Sequence, residues 1–154
     1  MSIEIRRFPA FSVLGREGST QEGAGFIERL WQEANAQYAE IAPHVLCAEN
    51  GAPLRLWGLM SDMGRSLRPW EDDFSRGLYL AGAECAPDAP VPEGWAKWDV
   101  PAFSMALVPV RGDPAEAFRQ GLAFLAREGL SMAAAAFDLT LPAEGRSFVC
   151  FPVA

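Results

Sequence analysis

Two stretches of this chain open alike. Residues 8–18 read FPAFSVLGREG and residues 100–112 read VPAFSMALVPVRG, so one Pro-Ala-Phe-Ser motif heads two apolar segments. A helical pattern follows the next loop in each case. Such a repeat is the mark of an internal duplication, which restricts the chain to folds built from two equivalent halves.

Each half reads strand, helix, strand, strand. In the first, Ile3 and Ile5 flank Glu4 while Phe11 and Val13 flank Ser12, alternation that predicts a strand bent or bulged at Pro9. Residues 24–41 carry Phe26, Ile27, Leu30, Trp31, Ala34, Tyr38 and Ile41 at spacings of three and four, a helix that Pro43 ends. Residues 54–61 read as a strand. After the polar loop MGRSLRPWEDD, the apolar run from Leu78 to Ala83 reads as another, closed by Glu84. The second half offers a strand around Pro101. A helix over residues 114–130 follows, with Asp113 as cap, Pro114 at its first position and Gly129 as its stop. AAFDLTLP and RSFVCFPV are the closing strands.

The expected fold is α+β: halves of roughly 1–85 and 94–154 forming one mostly antiparallel sheet, with two helices on one face and a ligand cleft on the other. No Pro/Gly/Ser-rich linker divides the chain, so residues 1–154 are expected to form a single domain.

Charge and composition exclude several functions. The net charge is −7 and no Lys/Arg cluster exists, so no nucleic-acid partner is expected. The N-terminus lacks the pattern of a signal peptide. No run approaches the ~20 apolar residues of a membrane span. Cys47, Cys85 and Cys150 are odd in number and widely spaced, which suits reduced thiols and a cytoplasmic location. With His44 as the sole histidine, neither a zinc site nor a Ser-His-Asp triad is expected, and no cofactor motif appears. Five tryptophans and ten phenylalanines either fill the core or line a small-molecule pocket.

The duplicated halves, Pro-Ala-Phe in each first strand, Leu30-Trp31 in the first helix, and YLAGAE (residues 79–84) followed by VPEGW (residues 91–95) resemble the GyrI-like effector-binding domain. That domain also forms the ligand-sensing part of bacterial AraC-type and MerR-type multidrug regulators. The resemblance covers nearly the whole chain. It implies an aromatic-lined cleft for lipophilic, often cationic, compounds, with one or two buried carboxylates. Some stand-alone relatives in the family hydrolyse reactive cyclopropane-bearing compounds. The chain departs from the pattern in its penultimate strand, where Asp138 stands in place of Glu and Thr140 where Tyr is expected. No DNA-binding segment precedes Met1, so a complete transcription regulator is not expected.

Glu84 is the first candidate for a pocket carboxylate, against the alternative of a solvated strand-end residue. With a bulge at Gly82 it shares a face with Tyr79; without one the two face opposite sides. Asp138, between Phe137 and Leu139, either enters the cleft or faces solvent beside Thr140. Trp57, Tyr79, Phe103 and Phe137 sit on strands and are candidates for the cleft wall, Trp57 being equally suited to the core. Trp70, in a polar loop, reads as a lid or as a protein-contact residue. The leading functional expectation is a stand-alone small-molecule-binding protein, monomeric or homodimeric, for hydrophobic cations. The alternatives are a hydrolase using Glu84 with Tyr79, and a module that inhibits or protects a protein partner.

Overall fold

The computed structural model describes residues 2–154. The first half contains β1 (Glu4–Phe8), β2 (Phe11–Ser19), α1 (Phe26–Ala36), β3 (Leu56–Ser61), the short α2 (Glu71–Phe74) and β4 (Leu78–Cys85). The second contains β5 (Ala96–Val100), β6 (Phe103–Pro109), α3 (Pro114–Glu128), β7 (Phe137–Leu141) and β8 (Arg146–Val153). All eight strands join one sheet in the order β1-β6-β8-β7-β3-β4-β2-β5, and every pairing is antiparallel. The α+β fold read from the sequence is the one observed.

Local chemistry explains the element ends. The Asp113 side chain accepts from the Ala115 amide, Pro114 occupies the first turn, and Gly129 ends α3 at φ 68°. The first helix is shorter than its apolar spacing suggests. At Gln37 the backbone leaves the α region, and the chain tightens into 3-10 turns over Tyr38–Glu40 and Ala42–His44. Pro9 and Pro101 do more than bend a strand. Each lies in a two-residue break, between β1 and β2 and between β5 and β6, and the strands on either side join different neighbours. Proline lacks the N–H that a continuous ladder needs.

Strand order gives the fold a pseudo-twofold. Replacing each strand by its counterpart (β1 by β5, β2 by β6, β3 by β7, β4 by β8) reverses the order and leaves it otherwise unchanged. The register locates the axis. Arg16 and Val108 each lie four residues beyond the serine of their motif, and pair with Ala81 and Val149. Those residues pair in turn with Gly58 and Asp138. Gly58 and Asp138 are therefore counterparts, and they face each other across the β3–β7 pair.

The sheet is strongly curled. Trp57 on β3 and Phe8 on β1 are four strands apart in order, about 19 Å on a flat sheet. Their rings nevertheless meet edge to face with centroids 5.9 Å apart, and Phe11 stacks on Trp57 at 4.6 Å. The two motifs meet where the sheet's ends approach, Phe8 pairing with Phe103 and Phe11 with Val100. Inside the curl, Trp57, Leu59, Leu80, Trp98, Met105, Leu107, Phe137, Leu139 and Phe148 form the largest core. Both helices lie on the other face. Phe26 and Leu30 of α1 pack on Tyr79 and Ala81, while Ala117 and Leu125 of α3 pack on Ala106, Val108, Val149 and Phe151.

Trp57 is fully buried at the junction of both halves, so truncating it removes contacts with β1, β2 and β7 together. We predict that Trp57→Ala lowers stability by about 3–5 kcal/mol, read as a fall in the urea midpoint at constant m-value.

Candidate functional site

Helix α1 packs over β2 and β4, and α3 over β6 and β8, so the central strands β3 and β7 floor a groove between them. Strand alternation decides which side chains reach that floor. On β3 they are Leu56, Gly58 and Met60. On β7 and just before it they are Thr140, Asp138 and Ala136. The axis thus runs through the middle of the groove, with Asp138 on one side and a bare glycine on the other.

Gly58 supplies space that the site uses. Tyr79 projects from β4 across it and donates its hydroxyl to Asp138 Oδ2 at 2.9 Å. A Cβ at position 58 would collide with the Tyr79 hydroxyl and lie 3.1 Å from Asp138 Oδ2. Trp31 of α1 donates its indole N–H to the same hydroxyl at 3.2 Å. The result is a chain from helix to tyrosine to carboxylate that ties the first half to the second. Among the described residues Tyr79 is the one side-chain donor to the Asp138 carboxylate, and it takes Oδ2.

Asp138 is exposed although Phe137 and Leu139 on either side are buried, the alternation of a strand whose two faces differ in cover. The surrounding protein desolvates its carboxyl and raises its pKa above the ordinary aspartate value, against the lowering effect of the Tyr79 bond. Burial, followed by the neighbouring Asp138 charge, holds the Tyr79 phenol well above its usual range, so it stays a proton donor.

One end of the groove opens into an apolar cavity of about 340 Å³. Met60 and Ala136 form its floor, and Phe118 and Leu122 of α3 form one wall. The opposite wall is the loop between β3 and β4, through Pro69, Trp70 and Phe74. That loop is tightly held. Asp62 accepts from Ser61 and from both the amide and hydroxyl of Ser66, bonds that bring its carboxyl down to about 2 despite some desolvation. The Trp70 indole donates to the Leu78 carbonyl at 2.9 Å. Phe74, 66% exposed, and Leu122, 42% exposed, sit at the cavity's rim.

The structure brings three of the sequence candidates to this region, Tyr79, Asp138 and Trp70. The other four lie on the opposite face, where the sequence placed a cleft and the structure has a packed core. Trp57 and Phe137 meet there edge to face at 6.4 Å, with Phe103 packed against the same cluster. Glu84 belongs to that face too, because register runs unbroken through Gly82 and no bulge brings it round to Tyr79. Only 6% exposed, it accepts from the Trp57 indole at 2.9 Å and pairs with Arg55 at 3.2 Å. Glu84 and Tyr79 therefore do not meet. Sequence reading missed Gly58, Met60, Trp31, Phe118 and Leu122. Gly58 had a readable signal, a glycine inside a strand pattern, which often marks a close approach.

No protein-family model matches the sequence, and no curated protein matches it significantly. Solved structures do share its fold. SAV2435 bound to tetraphenylphosphonium aligns with TM-score 0.63 at 14% identity, over 100% of this chain and 94% of the other. The EcmrR C-terminal domain aligns with TM-score 0.66 at 10% identity, over 99% and 97%. A putative bacterial transcription regulation protein from Staphylococcus aureus MU50 aligns with TM-score 0.64 at 15% identity, over 99% and 98%. The fold agrees with the GyrI-like resemblance. At such identities it is the architecture that is shared, and the residues of the groove have to be judged on their own chemistry.

Folding raises the Asp138 carboxyl, so ionised Asp138 opposes folding. Its favourable contribution is present below the ordinary aspartate pKa and is lost as pH rises through the higher folded value. Asp138→Asn should thus raise the melting temperature at pH 7, with the advantage fading as pH falls below that range. Gly58→Ala should cost about 1–3 kcal/mol, the scale of overpacking, measured by chemical denaturation, because the methyl displaces the Tyr79 hydroxyl.

Proposed function

We propose that this chain is a small-molecule-binding domain for lipophilic cations, and that the groove between α1 and α3 is where they bind. The observation carrying this reading is the adjacency of an exposed carboxylate with a single side-chain donor, Asp138, to an apolar cavity of about 340 Å³. The cavity removes apolar surface from water, at roughly 25 cal/mol per Å². Trp70 and Phe118 line the cavity, and an aromatic ring that turns its face to a cation attracts it by about 0.5–2 kcal/mol. The carboxylate then separates a cation from its neutral isostere. Few directed polar groups surround the cavity, which favours breadth over a single ligand. The tetraphenylphosphonium held by SAV2435 is a ligand of this type and supports the assignment.

Glu84 takes no part in this reading, since it is held by Trp57 and Arg55 on the far face of the sheet. We predict that tetraphenylphosphonium binds, and that Asp138→Asn weakens it by about 1–3 kcal/mol, the scale of losing a charged partner. Glu84→Gln should change affinity much less while lowering stability. Titration calorimetry on the three proteins checks this. Equal affinity in wild type and Asp138→Asn would remove the electrostatic account.

A further inference from the structure

The carboxylate and the cavity adjoin but do not coincide. Met60 and Ala136, on the cavity floor, lie one same-face step along their strands from Gly58 and Asp138, about 7 Å away. Asp138 itself stays exposed beyond the cavity's end. A cation whose charge is enclosed in the middle of its apolar body brings that charge near Asp138 only by leaving part of the body outside the cavity. A ligand with its charge at one end can do so with its body inside.

The carboxylate's remaining valence sharpens the choice. Tyr79 takes Oδ2, and no side-chain donor among the described residues reaches Oδ1 of this exposed residue. An N–H cation can donate there and form a charge-assisted hydrogen bond, shorter and stronger than a neutral one. A quaternary or phosphonium centre has no proton to give. Farther along the same face the surroundings become polar, with the Thr140 and Ser147 hydroxyls 3.2 Å apart. A localised ammonium can keep part of its hydration there, whereas the cavity offers apolar side chains alone.

Resting on the assignment of the groove to lipophilic cations, we propose that its preferred ligands are protonated amines with one terminal N–H⁺ group about 7 Å from a compact aryl or branched alkyl body. The body occupies the cavity between Met60, Trp70, Phe118 and Leu122, and the ammonium donates to Asp138 Oδ1.

The test uses the intact protein and two ligand sets. The first is a series of phenylalkylamines with one to five methylenes between ring and nitrogen. The second pairs each tertiary amine with its N-methylated quaternary analogue. The expected result is an affinity optimum at an intermediate spacer, with the amine favoured over its quaternary partner by about tenfold. Asp138→Asn should abolish the amine preference. Leu122→Trp, which narrows the cavity from its exposed rim, should flatten the spacer dependence and leave the amine preference in place. Quaternary analogues or tetraphenylphosphonium binding as well as the best amine, with affinity still dependent on Asp138, would overturn this inference and leave the general cation assignment standing. No binding of any cation would overturn both.

Discussion

The structure depends on bringing the two ends of one sheet together. An eight-stranded antiparallel sheet left open would expose two edges and a broad apolar face. Here the face is folded inward around Trp57, whose indole touches side chains from β1 and β2 as well as its neighbour β7. An indole in such a place carries a polar N–H into the core, and leaving it unpaired would cost on the order of 1–3 kcal/mol. Glu84 accepts that N–H, and Arg55 balances the charge that Glu84 brings. The strand-end carboxylate thus follows from the choice of tryptophan at the point of closure.

That arrangement assigns the two faces different tasks. The inner face is committed to packing, and its polar groups satisfy one another. The outer face carries two helices spaced so that the central strands stay uncovered, and the groove there keeps a carboxylate that folding does not need. Burial raises the Asp138 pKa, so its ionised form opposes folding where the paired Glu84 serves it. The two carboxylates look alike in sequence, each in an apolar strand. Their surroundings separate them: Glu84 has an indole and a guanidinium, while Asp138 has a single tyrosine hydroxyl and open space.

Much of the architecture was legible because it rests on local signals. The repeated Pro-Ala-Phe-Ser announced the duplication, and Asp113, Pro114 and Gly129 delimited α3 through cap chemistry. Parity along β4 already tied the positions of Glu84 and Tyr79 to a single question, whether Gly82 held a bulge. What stayed hidden was which face of the sheet the helices would leave open. Alternation assigns residues to two faces but says nothing about how two helices divide one of them. It is also silent on Tyr79 crossing a neighbouring strand, which depends on a glycine two strands from the carboxylate's other partner, β8. Trp70 was recognisable as unusual in a polar loop, yet its role as a cavity wall came from the fold of residues 62–77 around Asp62.

The position of Gly58 opposite Asp138 has an arithmetic consequence. In a doubled chain most residues have their counterpart far away, but residues on the axis face their own copy. Directly opposed residues of an antiparallel pair stand about 4.5–5.5 Å apart, and like charges there repel. An aspartate at both positions would set two carboxylates against each other in a desolvated groove, and one would be driven to hold a proton. With glycine at position 58 only one charge stands at the axis. Two halves therefore share one carboxylate, and a ligand drawn to it would bind once per chain.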